Sequence, residues 1–168
     1  MNEDKIEIMG SWKEVGSEEY SDSLLLDIKI MINGVPVKWN YISPYSLIMN
    51  YLDHTPKDWP DYQYSAFEPF TCSCGVGGCA GIWDGIYVKV RKHSIEWRCS
   101  KRDGYGFIPK TFFSFDCKQY EKAFLKFWGW LRMESDWDYK LCVDLGHYEG
   151  DETTVDDFVE WVYKRWEE

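Results

Sequence analysis

Asn33-Gly34 stands between the apolar run Leu24 to Ile32 and the segment Val35-Pro36-Val37-Lys38-Trp39. Both residues of the pair tolerate positive φ, which the tightest hairpin turns demand, so residues 24–39 are committed to two antiparallel strands. Pro36 cannot donate to a ladder, so the second strand is an edge or pairs weakly there. Ahead of the hairpin, Lys5-Ile6-Glu7-Ile8 alternates and Trp12 extends the same edge.

Further strands are expected over Tyr64 to Cys72, Ile82 to Arg91 and Ser94 to Cys99. Ile86, Val88 and Val90 alternate with Tyr87, Lys89 and Arg91, while Ile95, Trp97 and Cys99 alternate with Glu96 and Arg98. That is period-two patterning with one covered face. A two-residue turn at Lys92-His93 sets Val88 opposite Trp97 and Ile86 opposite Cys99. Helical signals are of three kinds. Ser43-Pro44 starts a short helix whose apolar positions are Leu47, Ile48, Tyr51 and Leu52. Asp116 with Gln119 forms a capping-box pattern, followed by the stripe Tyr120, Ala123, Phe124, Phe127, Trp128 and Leu131. After a strand or loop near Leu141 to Leu145, a last helix begins at Thr153 or Thr154 and buries Val155, Phe158, Val159, Val162 and Trp166. At 168 residues the chain suits a single globular domain, 1–168. The expected fold is α+β: an antiparallel sheet of about five to six strands in the first two-thirds, covered by two C-terminal helices and one short helix.

Thr71-Cys72-Ser73-Cys74-Gly75-Val76-Gly77-Gly78-Cys79-Ala80-Gly81 holds three of the six cysteines and four of the thirteen glycines. Cys72, Cys74 and Cys79 suit a zinc site by chemistry, but a structural zinc takes four ligands and paired C-x2-C knuckles are absent. On the expected register Cys99 lies seven positions along the strand from Cys79, roughly 20 Å away. His54, His147, Cys117 and Cys142 reach the cluster only through tertiary folding. The other reading is a tight loop in which Gly75, Gly77 and Gly78 supply positive φ and the cysteines pack as small hydrophobes. No cofactor is expected on that reading, with zinc the alternative.

The segment Phe70-Thr71-Cys72-Ser73-Cys74-Gly75-x-x-Gly78-Cys79-Ala80-Gly81-Ile82, followed by a strand pair ending in Trp97, resembles small uncharacterised bacterial and phage proteins that carry a C-x-C-G-x-x-x-C-x-G hairpin. The resemblance implies no activity and no catalytic residue. It implies a bacterial or phage accessory protein, a setting in which small acidic domains act as toxin-immunity or anti-defence proteins.

Charge narrows the partners. With 29 acidic and 19 basic residues the formal net charge is −10, so nucleic acid and anionic membranes are not expected partners, while a basic protein is. The first ten residues lack the basic start and apolar run of a signal peptide, and a cytoplasmic protein with reduced thiols is expected. Ten Trp, twelve Tyr and nine Phe supply a firm core first and interface anchors second. Aromatic and acidic residues interleave between Asp136 and Asp157, where Trp137, Tyr139, Asp144, Tyr148, Glu149 and Asp151 are the candidate partner-binding residues. No nucleophile–base spacing stands out, so no catalytic residue is assigned. The expected function is a non-enzymatic acidic binding protein that occludes a basic protein partner, as a bacterial toxin-immunity protein does. The alternatives are a phage anti-defence inhibitor or a zinc-binding regulatory module built on Cys72, Cys74 and Cys79.

Overall fold

A computed structural model describes residues 3–14, 24–39, 42–43, 46–48, 64–70, 78, 81, 85–99, 110–134 and 160. Asn33 and Gly34 adopt φ of 54° and 77°, and pairing closes across them with Ile32 opposite Val35 and Met31 opposite Pro36. This turn joins β2 (Leu24–Ile32) to the two-residue edge strand β3 (Val35–Pro36). On the other side, β2 pairs antiparallel with β1 (Ile6–Glu14). The register sets Ile6, Ile8, Gly10 and Trp12 opposite Ile32, Ile30, Ile28 and Leu26. Alternation thus puts one apolar face on this sheet, with Ile6, Ile8, Leu26, Ile28, Ile30 and Ile32 all buried.

The second sheet has the order β4 (Tyr64–Phe67), β5 (Ile86–Val90), β6 (Ser94–Arg98), β7 (Phe112–Asp116). Val88 faces Trp97 as the alternation requires, and Arg91 N–H donates to the Ser94 carbonyl at 2.7 Å across Lys92-His93. Strand β7 was not among the expected elements. Its alternation is short, with Phe113 and Phe115 inward, and the adjoining helix signal at Asp116 masks it. Among the described residues the expected single sheet of five to six strands is instead seven strands in two antiparallel sheets of three and four. They meet at one parallel bridge, Asp4 to Phe115, where Asp4 N–H donates to the Ser114 carbonyl at 2.8 Å. A continuous sheet would need parallel pairing, and the strands share only that one step.

Helix α1 (Cys117–Glu134) packs on β1, β7 and β6, so it crosses the junction between the sheets. Its buried stripe is the expected one: Tyr120, Ala123, Phe124, Phe127, Trp128 and Leu131. Asp116 Oδ1 accepts from Gln119 N–H at 2.9 Å, which caps the helix. The second half of the capping box does not form. The Gln119 side chain instead bonds the backbone of Ile6, donating to its carbonyl at 2.5 Å and accepting from its N–H at 3.3 Å. Ile6 pairs with Ile32 on one side; on the other, beyond the bridge at Asp4, this amide takes the place of a second strand partner.

Ser43 also caps as expected: its hydroxyl accepts from Ser46 N–H at 3.2 Å, and residues 46–48 are helical with Leu47 and Ile48 buried. Ile42 bridges Phe70, which holds Trp39 edge-on at 6.4 Å. Two C-terminal helices were expected. Within the described residues α1 is the one long helix; Glu160 is helical, and the rest of the second lies outside them, as does the expected strand or loop at 141–145.

One hydrophobic cluster runs through both sheets and α1. At its centre Trp97 meets Phe115 edge-on at 5.1 Å and Tyr120 at 5.9 Å. The Trp97 indole N–H donates to the Tyr120 hydroxyl at 3.1 Å, which satisfies a buried donor. Burial, offset only partly by that indole donor, pushes the Tyr120 phenol far up, so it stays protonated. Tyr120→Phe is expected to lower stability by about 1 kcal/mol, the ordinary net worth of such a bond. The urea midpoint should fall with an unchanged slope; an unaltered midpoint would show that Trp97 does not depend on this acceptor.

Candidate functional site

The β4–β5 pairing, with Phe67 opposite Ile86, makes the cysteine–glycine segment part of the connection between two paired strands. Cys72, Cys74 and Cys79 themselves lie outside the described residues. Gly81 takes φ of +78°, a left-handed conformation that favours glycine, and its N–H donates to the Gly78 carbonyl at 3.1 Å. Among the described residues no group of three or more His, Cys, Asp or Glu is placed to hold a metal ion. Trp137, Tyr139, Asp144, Tyr148, Glu149 and Asp151 also lie outside the described residues.

Two thiols are described. Cys99 is buried, and burial pushes its pKa up to about 12. Cys117 is half-buried at the start of α1; burial first, then the carboxylates of Asp116, Glu121 and Glu3, push its thiol up. Its N–H donates to the His93 carbonyl at 3.1 Å, while its Sγ donates to the Arg91 carbonyl at 3.7 Å. A nearby histidine is thus engaged through its backbone, and among the described residues neither thiol has the electropositive surroundings that activate a nucleophile.

Asp4 is the most heavily bonded carboxylate described. It is 8% exposed. Oδ1 accepts from Asn33 Nδ2 at 2.8 Å and from Lys110 Nζ at 2.6 Å; Oδ2 accepts from Ser114 N–H at 2.9 Å and Lys110 Nζ at 2.9 Å. Burial alone would raise its pKa, but the bonds from Lys110, Asn33 and Ser114 outweigh burial and lower it. Every strong acceptor direction is used internally, so Asp4 fastens the turn of one sheet to β7 of the other.

The face of the four-stranded sheet turned away from the core is chemically distinct. Tyr87 pairs with Arg98, and Arg98 with Phe112, forming one row across three strands. Tyr87 is 43% and Phe112 41% exposed, although their strand neighbours Ile86, Val88 and Phe113 are fully buried. The Arg98 guanidinium lies 5.7 Å from the Phe112 ring centroid and 3.7 Å from Glu96. The next row is Lys89, Glu96 and Ser114, and Arg91 reaches Glu96 at 3.1 Å. The alternation places Tyr87, Lys89, Arg91 and Arg98 outward from sequence alone. Phe112 is missed with β7, and with it the row as a unit.

No family model, curated protein or solved structure matches this chain.

Proposed function

We propose that the chain is a non-enzymatic binding protein whose acidic, aromatic segment occludes a basic protein partner, in the manner of a toxin-immunity or anti-defence inhibitor. The run of carboxylates interleaved with aromatic residues is the observation that carries this reading. Between Asp136 and Asp157 eight carboxylates stand against the single basic Lys140, interleaved with Trp137, Tyr139 and Tyr148. Charge concentrated in one segment steers a basic partner more effectively than the same charge spread evenly, and aromatic anchors supply the contact energy. Trp137, Tyr139, Asp144, Tyr148, Glu149 and Asp151 are the residues assigned to the interface.

Affinity capture from the native host should recover a basic protein at about 50 mM salt and less of it at about 200 mM, as screening shortens the Debye length. Replacing Asp144, Glu149 and Asp151 together by Asn, Gln and Asn should abolish recovery. Failure to recover a basic protein at either salt would refute the reading.

A further inference from the structure

Asn33 is the one asparagine of the sequence that is followed by glycine, and the turn it opens carries more than a backbone shape. The structure assigns Asn33 as a site of self-modification, where the Gly34 nitrogen cyclises onto the side-chain amide and the resulting acid releases the Asp4 fastening between the two sheets. Asp4 in turn guards the amide, so fastening and modification oppose each other. This goes beyond the binding of a basic partner and uses residues outside the acidic segment.

Proximity supplies the reaction. The Asn33 amide carbon and the Gly34 nitrogen are held together by the chain itself, so their union closes a small succinimide ring without a bimolecular encounter. Gly34 has no Cβ to block the approach, and nothing lies within 4 Å of where one would stand. The Gly34 nitrogen loses its proton to solvent and bonds to the amide carbon. The bond from that carbon to Nδ2 breaks, and Nδ2 takes up a proton and leaves as ammonia. Water then opens the ring. Cleavage at the side-chain carbonyl gives aspartate, and cleavage at the backbone carbonyl gives an isoaspartyl link that lengthens the main chain by a carbon. The sum is amide plus water to acid plus ammonia, with no change of oxidation state. Every reactant other than water belongs to the turn.

The folded geometry ties this chemistry to Asp4. Asn33 Nδ2 donates to Asp4 Oδ1 at 2.8 Å, while Asn33 Oδ1 accepts from Lys5 N–H at 2.8 Å. The Asn33 N–H also donates to the Lys5 carbonyl at 2.8 Å, so backbone and side chain grip the same segment. The turn itself asks only for positive φ, and the two side-chain bonds are additional to it. Ring closure turns the flat amide tetrahedral and carries Nδ2 away, so the Asp4 bond must break before ammonia leaves. That bond has a charged acceptor, which makes it the stronger of the two restraints. After the reaction the donor is gone, and a carboxylate stands in reach of Asp4 Oδ1. Lys110 Nζ already contacts both Asp4 oxygens, at 2.6 and 2.9 Å, and its single charge cannot balance two carboxylates. Like charges that close disfavour each other and weaken the fastening. The isoaspartyl product does further harm, because it puts an extra main-chain carbon into a turn whose residues take φ of 54° and 77°.

The test follows the full chain through prolonged incubation at mildly alkaline pH, with peptide mapping that separates aspartyl from isoaspartyl product. Conversion is expected at Asn33 ahead of Asn2, Asn40 and Asn50, slowly in the folded chain and faster in urea. Asp4→Ala should speed it about 10-fold, the equivalent of about 1.4 kcal/mol of lost restraint. Gly10→Ala, which strains the contact with α1 rather than the turn, should leave the rate within about 2-fold, since only a local opening is needed. The aged, more acidic fraction and the Asn33→Asp variant should both unfold at a lower urea midpoint, with the folding constant reduced about 10-fold. Asn33→Gly keeps the turn and adds no charge, so it should lose less. In an Asp4→Ala background Asn33→Asp should cost nothing further. Absence of conversion in the folded chain, during an incubation that converts the unfolded one, overturns the proposal. So does a rate that Asp4→Ala leaves unchanged or slows, or that Gly10→Ala raises equally. An aged fraction that keeps the natural midpoint also overturns it.

Discussion

Asp4→Ala is expected to cost about 3 kcal/mol, although the residue lies outside any strand and near the start of the chain. Hydrogen bonds to a charged group each contribute about 1.5–3 kcal/mol net, and this carboxylate accepts from Asn33, Lys110 and Ser114. The total falls below their sum because Asn33 is exposed and Lys110 half-exposed, so both regain water when the carboxylate goes. The main loss is the coupling of the Asn33-Gly34 turn to β7 across the sheet junction. Lys110→Met should cost less, about 1 kcal/mol or under, since a half-exposed ammonium is screened.

The same carboxylate gives the effect a pH signature. Its folded pKa lies below the ordinary 3.8 despite burial. A carboxyl that is more acidic when folded adds stability that is present above the unfolded value and disappears as pH falls through the folded one. In urea titrations the gap between the natural chain and Asp4→Asn should therefore be full at pH 7. It should begin to close as pH drops past about 3.8 and narrow further below that. A gap of equal size at neutral and strongly acid pH would sink the assignment of Asp4 as an ionised fastener.

How much of this was legible in the sequence depends on how local each signal is. Asn33-Gly34 dictates its own backbone, and the Ile86–Trp97 alternation dictates which side chains face inward, so turn, register and core were all readable. The stripe from Tyr120 to Leu131 follows the helical period and every member is buried. Gln119 marks the limit. Its spacing from Asp116 matches a capping box, but nothing local says that Ile6, more than a hundred residues earlier, needs both a donor and an acceptor. Asp4 fails the same way: an acidic residue beside Lys5 reads as solvated until folding brings Lys110 and Ser114 to it. The row Tyr87, Arg98 and Phe112 needed β7, and β7 was hidden because its short alternation runs straight into a helix cap.

Gly10→Val should be the most damaging small-to-large change in the described sheets, at about 3 kcal/mol, with Gly10→Ala costing about 1–3 kcal/mol. A glycine in a strand interior usually weakens it by about 0.5–1 kcal/mol relative to alanine, so the expected sign is opposite to the ordinary one. Gly10 stands on the inward row opposite Ile28, and a Cβ there would lie 1.9 Å from Trp130 Cζ3 and 2.5 Å from two further ring atoms. Carbon atoms in contact sit at about 3.5–4.0 Å, so ring or helix must move. The ring is not free to swing aside, because it packs against Trp12 at 5.7 Å and Phe127 at 6.1 Å. Glycine is the residue that lets α1 approach β1 this closely. A double-mutant cycle isolates the cause: in a Trp130→Ala background the same Gly10→Ala change should become neutral or stabilising by up to about 1 kcal/mol. If Gly10→Ala is equally harmful with and without the Trp130 ring, the close approach is not what requires glycine, and the docking of α1 on β1 must rest on other contacts.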